Sequence, residues 1–106
     1  MGYMCHHAIV VTGCVDGAAK KAREEALKIF DHVSEIMPGM NGYETFLIPP
    51  DGSKEWWPDS DRGDENRNTY IEWLSKSSGG MDWAEIQYGD ENGDQRVVRA
   101  SRLEKM

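Results

Sequence analysis

Cysteine is scarce in this chain. Cys5 and Cys14 are the only two, and both lie near one end of its 106 residues. A pair of cysteines makes no disulfide framework. An extended strand between them would hold them beyond the roughly 7 Å that a bridge tolerates. Two reduced thiols and a cytoplasmic location are therefore expected. Long apolar runs are also missing, which excludes a membrane-spanning helix. No basic segment followed by an apolar stretch opens the chain, so no signal peptide is expected. Cations are in the minority, with 12 Lys and Arg against 19 Asp and Glu and a net charge of −7. A sequence-independent nucleic-acid binder needs a basic face, so direct nucleic-acid binding is excluded. No internal repeat or low-complexity tract interrupts the composition.

What remains is a single-domain composition, with 39% hydrophobic residues. A chain of this size can bury about 60–70% of its unfolded surface and fold without metal or disulfides. The expected unit is residues 1–106, frayed at about 1–4 and 102–106.

Periodicity predicts the elements. His6 to Thr12 read HHAIVVT, a β-branched strand entry ending at Gly13. Asp16 offers an N-cap to a helix over residues 18–36, whose stripe is Ala19, Ala22, Ala26, Ile29, Phe30, Val33 and Met37. Pro38-Gly39 stops it. Residues 44–48 and 53–57 read as a hairpin around the Pro50-Asp51-Gly52 turn. A second helix is expected over residues 65–77, capped by Asp61 or Asp64, with Tyr70, Ile71 and Leu74 inward and Trp73 at the flank. Asn92-Gly93 signals a closing hairpin that sets Tyr88 opposite Val97 and Ile86 opposite Arg99. The predicted fold is α+β in the order β-α-β-β-α-β-β. It has a mainly antiparallel sheet with two helices on one face, a variant of the ferredoxin-like arrangement.

Motifs for chemistry are few. Cys5, His6, His7, Cys14 and His32 are the residues a zinc site or small metal enzyme would use. Strand alternation, however, points Cys5 and His7 one way and His6 the other. No second Cys/His cluster follows to close a tetrahedron. Cys5–His6 diverge, so they make no nucleophile–base pair, and Cys14–His32 would need the first helix to fold back. The 59–64 and 90–94 acidic stretches lack the glycine and glutamate positions of a calcium loop. The 13–17 stretch has no phosphate-loop spacing, and Asp16 would repel an anion. The expectation is a non-enzyme with no cofactor and no metal; a Cys5, His7, Cys14, His32 zinc module and a homo-oligomeric assembly protein are the alternatives.

Charge is uneven. Residues 44–94 hold thirteen acids and four bases, whereas residues 1–43 are nearly balanced and the last twelve are net positive. The acids concentrate in turns, beside Tyr43, Trp56, Trp57, Trp73, Trp83 and Tyr88. Indole rings rimmed by carboxylates suit a cationic partner. The contacts expected are Glu55, Trp56, Asp59, Asp61, Asp64, Asp90, Glu91 and Asp94.

With its acidic turns PPDGSKEWWPDSD and YGDENGD, this short, Trp-rich chain resembles the small accessory proteins of phages and prophages. Among them it is similar in type to anti-CRISPR and other anti-defence inhibitors. That resemblance implies a monomer or homodimer in the host cytoplasm. Its partner would be a basic protein or protein–nucleic acid complex of the host, whose Lys and Arg its carboxylates occupy in place of phosphate. Arg96, Arg99 and Arg102 depart from strict duplex mimicry and favour protein–protein blocking.

Overall fold

The computed structural model describes residues 5–14, 16–52, 58–77, 80–89 and 95–101, with the backbone alone at Asp59 and Ser60. Their order is β1 (His6–Gly13), α1 (Ala18–Leu27), β2 (Met37–Pro38), β3 (Glu44–Ile48), α2 (Pro58–Lys76), β4 (Met81–Tyr88) and β5 (Arg96–Ala100). The strands form one antiparallel sheet in the order β2-β3-β1-β4-β5. Because β3 inserts between β1 and β2, the β1–α1–β2 unit is the split β-α-β of ferredoxin-like folds, extended by β5. The class is α+β, as the composition and periodicity predict.

Strand alternation decides which residues the helices cover. Ile9 and Val11 of β1 stand opposite Ile48 and Phe46 of β3. All four are buried in one core with Ala19, Ala22 and Ala26 of α1 and Tyr70, Ile71 and Leu74 of α2. The three alanines keep α1 close to the sheet. Tyr70 ties the helices together, its hydroxyl donating to the Ala22 carbonyl at 2.6 Å. Burial holds this phenol well above its ordinary pKa. Tyr70→Phe is expected to cost about 1 kcal/mol, the net worth of one buried hydrogen bond. Urea unfolding followed by circular dichroism checks this; an unchanged midpoint would show that the bond contributes nothing.

Several expectations need correction. Helix α1 ends at Leu27, nine residues short of the predicted end. The following chain runs beside β3 instead: Ser34 N–H donates to Leu47 O at 2.9 Å, and Leu47 N–H donates to Ser34 Oγ at 2.8 Å. Satisfying that strand edge wins over continuing the helix. Ile29, Phe30, Val33 and Ile36 still pack against the core without being helical. The cap of α1 is Gly17, at φ 79°, and not Asp16. Helix α2 starts at Pro58, so Asp61 and Asp64 lie inside it and cap nothing. Pro58 takes the first helical position, where its missing N–H costs nothing.

On β3 the neighbours are β1 and β2; the expected partner strand at 53–57 lies outside the described residues. β2 and β3 are joined through Asn41-Gly42, both at positive φ, with Tyr43 N–H returning to Met40 O at 3.2 Å. β4 and β5 pair antiparallel as expected, with the predicted Asn92-Gly93 turn outside the described residues, but a bulge between Glu85 and Ile86 shifts the register. Arg99 therefore faces Glu85 rather than Ile86, and Val97 faces Ile86 rather than Tyr88.

Candidate functional site

The register of the central strands brings a carboxylate to the helix-covered face. Glu85 pairs with Ile9, in phase with Trp83 opposite Val11, so its side chain enters the core layer. It is only 2% exposed. A buried carboxylate needs charged partners. On one side, Arg99 donates to Oε1 from Nε at 2.7 Å and from Nη2 at 2.6 Å. On the other, Arg67 Nε of α2 stands 3.7 Å from Oε2, and its terminal nitrogen reaches Asp64. The third partner is His7, whose Nδ1 lies 3.4 Å from Oε2. This Nδ1 is buried and makes no well-formed hydrogen bond. Burial alone would raise the Glu85 pKa. The His7 ring and the Arg99 guanidinium outweigh it and leave the carboxyl below its ordinary range.

The other nitrogen of His7, Nε2, is 3.9 Å from the Sγ of Cys5. Cys5 is itself buried. Thiol, imidazole and carboxylate thus stand in line on one face of the sheet. Cys14 lies at the opposite end of β1 in a contrasting setting, donating to Asp82 Oδ2 at 3.5 Å. His7 also lines a cleft of about 460 Å³. Its walls include Phe30 and His32 after α1, Pro50 and Asp51 after β3, and Arg62 and Arg67 of α2. Asp51 approaches α2 at Gly63, where a Cβ would collide with its carboxylate.

The outer surface of α2 carries a second feature. Asp61, Asp64, Glu65 and Glu72 are exposed and fall three, four and seven residues apart along one stripe. Arg67, Tyr70, Ile71 and Leu74 occupy the buried side. Lys76 reaches back to Glu72 at 2.9 Å.

Of the expected contacts, Asp61 and Asp64 come together on this stripe, and Asp59 belongs to the same helix. Glu55, Trp56, Asp90, Glu91 and Asp94 lie outside the described residues. Trp73 and Trp83 are half-buried against the core, and Trp73 stacks on Tyr70 at 5.9 Å. These two indoles therefore do not stand as exposed anchors. The four proposed zinc ligands do not converge, since Cys5 and Cys14 sit at opposite ends of β1. Among the described residues no group of three or more His, Cys, Asp or Glu is placed to hold a metal ion. The pairing of Cys5 with His7, rather than with His6, was readable from strand alternation. The role of Glu85 was not, because the bulge that sets it against Arg99 has no sequence signature here.

No protein-family model, curated protein or solved structure matches this chain. No helix among the described residues is long and apolar enough to cross a membrane.

Proposed function

We propose that this protein is an acidic binding protein that docks the outer face of α2 on a cationic surface of a larger, nucleic-acid-handling partner in the cytoplasm and blocks it. The carrying observation is the exposed stripe of Asp61, Asp64, Glu65 and Glu72. Arg67, on the same helix, turns inward to Glu85 while touching Asp64, and Lys76 pairs with Glu72, so Asp61 and Glu65 are the carboxylates of the stripe that neither of these ion pairs engages. Such a stripe competes for the Lys and Arg that would otherwise hold phosphate. It also steers encounter, so its contribution falls as salt rises. This is the mode of action implied by the resemblance to anti-defence inhibitors.

Asp61→Lys combined with Glu65→Lys tests the reading, since both side chains are exposed and the core is untouched. In matched pull-downs from a host lysate at low and high salt, the parent is expected to retain a basic, nucleic-acid-handling protein at low salt only. The double variant is expected to lose it, by about tenfold or more in association rate once the partner is purified. If the variant binds as fast as the parent at low salt, α2 is not the docking face.

A further inference from the structure

We propose that the face of the sheet opposite the helices is a self-association surface, which a second copy of this chain covers sheet against sheet. Both helices pack on the face that holds Ile9, Val11, Phe46 and Ile48. Strand alternation sends the intervening residues to the other face. The register lines them up in rows across the strands, with Leu47, Val10 and Ala84 in one and Ala8, Ile86 and Val97 in the next. None of these six belongs to the core or packs against it. Thr12 and Thr45 continue the face with their hydroxyls bonded to each other at 2.9 Å, and Met37 is exposed beside Thr45 at its edge. His6 rests on Tyr88 at the far corner, with ring centroids 5.3 Å apart. Among the described residues of these strands, Asp82 is the one Asp, Glu, Lys or Arg that the register places here, at a corner where Cys14 donates to it at 3.5 Å.

The net charge of −7 decides what can cover such a face. A cationic partner is drawn to the carboxylates of α2, on the other side of the molecule, and finds almost no charge here. An anionic membrane repels the chain. A second copy brings an identical, nearly uncharged face, and two-fold pairing of one patch with itself buries apolar surface on both sides. Sheets twisted in the same hand stack face to face about 10 Å apart. With a helix layer about 10 Å thick outside each sheet, the two α2 stripes stand about 30 Å apart, well beyond the Debye length of about 8 Å at physiological salt. The acids that would drive other faces apart therefore do not oppose this one. Strand spacing and rise give each face on the order of 500 Å², so a pair buries on the order of 1,000 Å², the lower limit of a specific interface. The dimer is accordingly weak and concentration-dependent, with a dissociation constant on the order of 10 μM. It goes beyond docking and does not depend on it.

Sedimentation velocity of the full chain from about 1 to about 300 μM, on either side of that constant, reads the association. The mass is expected to rise from 12.0 kDa toward twice that value. Ile86→Lys, in the middle of the face, is expected to raise the dissociation constant by about tenfold or more. Met40→Lys adds the same charge at an exposed residue between β2 and β3 and is expected to change nothing. Both variants lower the net negative charge alike, so repulsion between copies cannot account for a loss seen in one of them. If Ile86→Lys does not fold, Val97→Lys at the exposed rim repeats the comparison. Methyl NMR of the unaltered protein decides independently: the Val10, Leu47 and Ile86 signals are expected to shift with concentration while those of Ile9 and Val11 hold still. A monomer throughout overturns the proposal, and its flotation with phosphatidylcholine vesicles would give the face to lipid instead. A dimer that survives both lysines on the face, or whose shifting methyls lie elsewhere, overturns it as well.

Discussion

Glu85→Ala is expected to destabilise the fold by about 3–5 kcal/mol, the cost of removing one partner from a buried ion cluster. The mutation deletes the acceptor for both Arg99 bonds and leaves Arg67 and His7 facing an empty layer. Arg67 is 7% exposed and has little access to water in exchange. Its remaining charge partner would be Asp64, on the solvent side. Urea unfolding monitored by circular dichroism measures the loss. A change below about 1 kcal/mol, the range of exposed pairs, would show that the cluster is not truly sequestered.

The same group sets an acid dependence. The folded pKa of Glu85 lies below its ordinary value, so the folded state resists the proton more than the unfolded chain does. The stabilisation is fully present above the unfolded pKa of about 4.3 and is lost as pH falls through the lower folded value. Glu85→Gln keeps the shape and removes the titration. Its stability is expected to vary less than the parent's below about pH 4.3.

How much of this was legible in the sequence depends on which force decided each element. The inward residues of α2 and β1 could be read, because burial imposes a period and little competes with it. In the stripe after Ala26, Ile29, Phe30 and Val33 do pack partly buried against the core, but Met37 is exposed on β2 and the helical conformation assigned to all four was wrong. Ile29, Phe30 and Val33 reach the core whether the chain is helical or extended, and the choice fell to Ser34 and the edge of β3. Asn41-Gly42 is the same turn signal as Asn92-Gly93. It was masked by an overlong helix reading that treated Pro38-Gly39 as a stop rather than as the approach to a hairpin. Helix α2 begins early because Pro58 presets φ and acids in the first turns suit the helix N-terminus. Reading those residues only as a polar loop hid this. The docking stripe was half visible, in Asp61 and Asp64. The Glu85 cluster was not, because it joins His7 to a residue 78 positions further along through the pairing of β1 with β4, and reaches Arg99 only through a bulge between β4 and β5.

Gly13→Val is expected to cost about 3 kcal/mol, the upper end for overpacking, and to lower the melting temperature by roughly 10–20 °C. The sequence marks Gly13 only as the end of a strand, but its lack of a side chain is what seats the first helix. A Cβ there would lie 2.6 Å from the Ala19 backbone nitrogen and 3.0 Å from Ala19 Cβ. The obstacle is largely backbone, so no rotamer change relieves it. Ala19 is fully buried at the start of α1, and Gly13 is held by β3 on one side and β4 on the other. Either the helix lifts, exposing Ala19, Ala22 and Ala26, or the sheet bends. Replacing glycine in a strand would otherwise gain about 0.5–1 kcal/mol from a less flexible unfolded chain, so the clash must exceed that before any loss is seen. Gly13→Ala isolates the first carbon and is expected to fall between parent and Gly13→Val. Thermal melts of the three proteins decide, and a Gly13→Val protein that melts with the parent would show that α1 does not rest on this residue.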